Sequence, residues 1–100
     1  MGLVVYLTAM RKTEVFTGEI DPMFEGRLRE AGLYDALSKP NELGIRHASQ
    51  LVGLLSDGIR KIESNRPDED RGNWDYLVRW LRTYLAACQA HSDAVIGVID

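Results

Sequence analysis

One hundred residues with a net charge of −3 and a 45% apolar fraction make one folded domain, residues 1–100, with enough chain for a single core. The mild acidity argues against a general nucleic-acid binder, whose mark is a basic excess. The single cysteine, Cys88, excludes an intrachain disulfide and a cysteine-rich zinc site.

Leu3–Thr8 is rich in β-branched and aromatic residues and predicts a strand. No charged segment precedes the short apolar run of MGLVVYLTAMRK, so it reads as this strand and not as a signal peptide. Glu14–Ile20 predicts a second strand, forming an antiparallel hairpin across Ala9–Thr13, with a bulge at Gly18. Asp21 and Pro22 mark a helix start: Asp21 caps, and Pro22 suits the first helical position, where its missing N–H loses no partner. Phe24, Leu28 and Ala31 follow at helical spacing, and Gly32 supplies the stop. Leu33–Leu37 suggests a further short turn before Ser38–Asn41 breaks the chain.

Leu43–Ser64 predicts the longest helix. Ala48, Leu51, Val52, Leu55, Ile59 and Ile62 form its apolar face. Gly53 and Gly58 each cost such a helix about 1 kcal/mol relative to Ala, and close packing is one reason to keep them. Asn65–Gly72 reads as a polar loop. A third helix follows from about Trp74 to His91, with Asn73 as its cap and Asp75 in its first turn. Leu77, Leu81, Leu85 and Cys88 form one stripe of this helix, and Tyr76, Trp80 and Tyr84 form a second beside it. Ala94–Ile99 closes the chain as a strand. The predicted order is β-β-α-α-α-β, an α+β fold with three helices packed on one face of a small antiparallel sheet. Leu55 and Leu81, central to their stripes, are expected in the core. No run reaches the roughly 18 apolar residues that span a bilayer, so the expected setting is soluble and cytoplasmic.

Chemical motifs are sparse. His47 and His91 belong to no short metal pattern, and no P-loop, GxGxxG or GxSxG sequence is present. The acidic loop Pro67–Asn73 departs from the EF-hand register, with glycine at its fifth position and no late glutamate. No metal, no cofactor and no catalytic residue is expected. Trp74 stands at the loop-to-helix junction and has two readings: a hydrophobic plug, or a stacking wall needed for binding and dispensable for folding. In the second reading Trp74 and Tyr76 stack on a planar ligand. Asn73 stands at the helix mouth, and Arg71 or Arg46 pairs with an anion. Tyr76, Trp80 and Tyr84 widen the third helix's apolar face and have two readings, core or subunit interface; in the second, Trp80 and Tyr84 are the expected contacts of a twofold homo-oligomer.

Several short segments, spread over most of the chain, carry a resemblance. They are Thr13-Glu14-Val15, Ile20-Asp21-Pro22-Met23-Phe24, Ala31-Gly32-Leu33-Tyr34 and Pro40–Ile45, then Gly72–Tyr76, Tyr84–Cys88 and Ser92–Ile96. Together the chain resembles a group of small phage and prophage proteins with an NGWG-like loop, a YLxAC helix and a PDAxIxV-like end. It departs from them at Glu19-Ile20-Asp21, where relatives carry an Asn-rich segment, and at Asp75, which replaces the loop's second glycine. The resemblance implies a phage-encoded accessory protein acting inside a bacterium and brings no reaction with it. The expected function is non-enzymatic counter-defence or host modulation by sequestering a small anionic, nucleotide-type signal. The rivals are a protein–protein inhibitor of a host enzyme and a small structural or assembly protein.

Overall fold

The structure is a computed structural model that describes residues 3–9, 14–65 and 71–99, with Arg71 described by its backbone alone. Strand β1 (Leu3–Thr8) is central in a three-stranded sheet, flanked by β2 (Glu14–Ile20) and β3 (Val95–Ile99), both antiparallel to it. The two ends of the chain therefore share one sheet, as expected. Period-two alternation sets the faces: Leu3, Val5 and Leu7 are buried under the helices, joined by Ile20 of β2 and Ile96 of β3. The architecture is the predicted α+β fold in the predicted order.

Asp21 caps as expected, its carboxylate accepting the Met23 N–H at 2.9 Å. The first helical region is a 3-10 turn (Pro22–Phe24) running into α1 (Glu25–Glu30), and Gly32 ends it with φ 74°. The short segment beyond it is helical too, as α2 (Tyr34–Ser38).

The next helix, α3 (Ser49–Ser64), starts six residues later than the spacing suggests, because Arg46–Ala48 are engaged elsewhere. Ile96 N–H donates to the Arg46 carbonyl, Ala48 N–H donates to the Ala94 carbonyl, and the Gln50 side chain accepts the N–H groups of Arg46 and His47. Residues 46–48 thus bridge to β3 and are unavailable to a helix; Pro40–Leu43 forms only a 3-10 turn. The last helix, α4 (Arg71–Ala90), starts earlier than expected. Gly72 and Asn73 lie in its first turn, so Asn73 is not the cap.

Helices α3 and α4 pack on each other and over the sheet, and Leu51, Leu55, Leu77, Leu81, Tyr84 and Cys88 are fully buried between them and β1. The two glycines of α3 differ in purpose. A Cβ on Gly58 would overlap the buried side chain of Leu33, whereas nothing lies within 4 Å of one built on Gly53. Gly58→Ala is therefore expected to destabilise by about 1–2 kcal/mol, overpacking outweighing the gain in helix propensity. Gly53→Ala should stabilise by about 0.5–1 kcal/mol. Urea midpoints of the two variants moving in the same direction would contradict this assignment. Among the described residues, no helix is long and apolar enough to cross a membrane.

Candidate functional site

The aromatic row of α4 does not present one face. Residues four apart advance about 40° around a helix, so three of them sweep about 80°. Tyr84 lies in the core at 0% exposure, Trp80 is half-buried, and Tyr76 is 51% exposed. Strand β2 meets this row through Phe16, whose ring stacks on Tyr84 at 5.2 Å and meets Trp80 edge-on at 6.5 Å. Tyr76 stacks instead on Phe24 at 5.8 Å.

Between β2 and α4 lies an open groove of about 270 Å³. Its strand side is Phe16, Thr17 and Gly18; its helix side is Tyr76, Arg79, Trp80 and Thr83. Gly18 is there for close approach. It sits in regular register opposite Val5, and a Cβ on it would stand 3.1 Å from Trp80 Cζ2. The bulge expected at Gly18 falls instead between Leu7 and Thr8, where the register jumps from Phe16 to Glu14. Arg79 is exposed in this groove. Among the described residues its guanidinium has no ion-pair partner, although Asp75 stands one turn before it, whereas the neighbouring Arg82 pairs with Glu63. The groove thus combines an aromatic wall, an indole edge and a cation.

The described members of the expected ligand set are spread between core and surface. Trp74 is 7% exposed, and its indole N–H donates to the Ile62 carbonyl at 3.2 Å. It plugs the joint between α3 and α4, and it offers no open face for stacking. Asn73 is half-buried in the first turn of α4. The Arg71 side chain and the loop of residues 66–70, with most of the acidic Pro67–Asn73 segment, lie outside the described residues. Arg46 is exposed at the head of α3, while Trp74 contacts Ile62 near its other end, so a helix of about 24 Å separates them. Of the expected interface pair, Tyr84 lies in the core and Trp80 is half-buried in the groove wall. Phe16 and Arg79 were not legible as site residues. Arg79 carried one signal, its position three residues after Tyr76 on the same helix face.

A second, smaller cavity of about 100 Å³ lies where β1, the end of β2 and α1 meet, lined by Leu3, Ile20, Asp21, Pro22, Glu25, Leu28 and Tyr34. Both of its carboxylates are engaged, Asp21 as the cap of Met23 and Glu25 by its neighbours. A hydrogen bond from the Tyr34 side chain, then one from Arg29, hold Glu25 below the usual carboxylate range, and the Arg29 guanidinium lies 4.1 Å from the Tyr34 ring centre.

Burial raises the pKa of the Tyr84 phenol, whose hydroxyl has no hydrogen-bond partner among the described residues, and pushes the Cys88 thiol up to about 12. Cys88 is therefore a neutral core residue, as its place in the apolar stripe suggests. Both groups stay protonated in the fold at pH values where the unfolded chain ionises. Stability is fully present below the ordinary thiol value of 9.0 and should fall as pH rises from there toward 12. Chemical denaturation at pH 8 and pH 10.5 checks this, and Cys88→Ala should flatten the fall. His47 and His91 are both exposed, and among the described residues no group of His, Cys, Asp and Glu could hold a metal ion.

Comparison with known proteins finds no matching protein family, no matching curated protein and no matching solved structure.

Proposed function

We propose that this protein is a non-enzymatic accessory protein that works by binding through the groove between β2 and α4, and that its partner is a protein. The observation that carries this reading is the half-buried Trp80 beside Phe16, with Tyr76 and Arg79 exposed at the same place and Arg79 without an ion-pair partner among the described residues. Trp, Tyr and Arg dominate the energetics of protein interfaces. The groove's openness favours this reading over capture of a nucleotide-type signal. Small-ligand sites enclose most of their ligand in about 300–1,000 Å³, and the stacking wall expected for a nucleotide, Trp74, is in the core. The resemblance of the sequence to small phage proteins supports counter-defence or host modulation, in the cytoplasm of a bacterium, as the setting.

The test compares wild type with Trp80→Ala, captured from infected cells at equal loading. Mass spectrometry then identifies both the proteins and the small molecules released. A host protein held by wild type and weakened about 30-fold or more in the variant is the expected result, the size of a 2 kcal/mol hot spot. A released nucleotide with no specific protein would restore the sequestration reading. Identical protein sets from wild type and variant would place the site elsewhere.

A further inference from the structure

The two edges of the sheet are not equivalent. The outer side of β3 is engaged at its start: Ile96 N–H donates to the Arg46 carbonyl, and Val95 forms a bridge with His47. The outer side of β2 has no backbone partner among the described residues. A seven-residue free edge is long, and such edges are commonly blunted by Lys, Pro or a bulge in mid-strand. Val15–Gly18 carries no charge and no Pro; the strand's charges, Glu14 and Glu19, and its register irregularity lie toward its ends. The open groove runs beside this same edge, under the exposed side of α4.

We propose that β2 receives an extended peptide segment of the partner protein as a fourth strand, with one carboxylate and one apolar side chain of that segment seated in the groove beside α4. This rests on the protein-binding reading above and specifies its partner. Strand addition supplies hydrogen bonds to the unpaired N–H and C=O groups of β2, and side chains on one face of the added strand supply specificity. Those side chains recur every second residue, about 6.6–6.8 Å apart. One apolar or aromatic side chain packs against Phe16 and Trp80. A carboxylate two residues away pairs with Arg79, the cation in this groove without an ion-pair partner among the described residues.

The experiment is selection from a random dodecapeptide display library against the full chain. The consensus peptide is then synthesised and titrated by fluorescence anisotropy. Selected peptides should share an apolar residue and an Asp or Glu two positions apart. Arg79→Glu, a change at an exposed position verified by circular dichroism, should weaken the consensus peptide at least tenfold. N-methylation of alternate peptide amides should abolish binding, while methylation of the intervening ones should not. Helical spacing in the selected peptides, indifference to Arg79→Glu, or tolerance of every N-methylation overturns strand addition. Peptides that tolerate N-methylation and are lost with Trp80→Ala leave the protein-binding groove standing while strand addition falls. A stable dimer in sedimentation that added peptide does not dissociate gives the edge to a second copy and overturns the proposal. Selection of no peptide, with adenosine monophosphate quenching Trp80 fluorescence in a Trp74→Phe background, overturns both readings.

Discussion

Trp74→Ala is expected to cost about 3–5 kcal/mol of stability, the range for truncating a buried large aromatic. Trp74 is almost wholly buried where the end of α3 meets the start of α4, and its indole N–H donates to the Ile62 carbonyl, which also accepts the Asn65 N–H. Truncation opens a cavity and removes one of the two donors to that carbonyl, which keeps the Asn65 N–H, so the transfer and cavity losses dominate. A domain of this size has about 5–15 kcal/mol in total, so the variant should be partly unfolded or melt far below wild type. Trp74→Phe keeps much of the volume and loses the N–H, and should cost less. Circular dichroism melts of the two variants test this. A Trp74→Ala variant with a wild-type melt would return Trp74 to the surface role that its position in the sequence also allows.

Leu81→Ala and Leu55→Ala should each cost about 2–5 kcal/mol. Leu55 on α3 and Leu81 on α4 are both at 0% exposure within one continuous core. At about 4–8 °C per kcal/mol for a domain of up to 100 residues, each variant should melt at least about 8 °C lower than wild type. Leu54→Ala, one position away on α3 and exposed, should stay within about 0.5 kcal/mol. Equal midpoints for Leu54→Ala and Leu55→Ala would mean that α3 presents a different face to the sheet.

What the sequence determined by itself was the local order. Strand alternation in Leu3–Thr8, the Asp21 cap, the Gly32 stop, and the stripes holding Leu55 and Leu81 all depend on residues within a few positions of one another. Their periodicity is enough to predict the elements, their order and most of the core. Tertiary structure decided everything that depended on a distant partner. The start of α3 moved because Arg46–Ala48 bridge to β3, nearly fifty residues later in the chain. Trp74 went inside because the Ile62 carbonyl stands over it. Tyr76, Trp80 and Tyr84 read alike in sequence, yet one is exposed and one is core, because the row turns about 40° per step around α4 and the packing of α4 on β2 covers only its Tyr84 end, where Phe16 stacks. The groove itself joins residues about sixty positions apart, Phe16–Gly18 and Tyr76–Thr83, and no periodicity within either segment encodes that meeting. A helix turn or strand pleat is set by its own neighbours, whereas a binding surface is set by which faces the core leaves uncovered once the elements have packed.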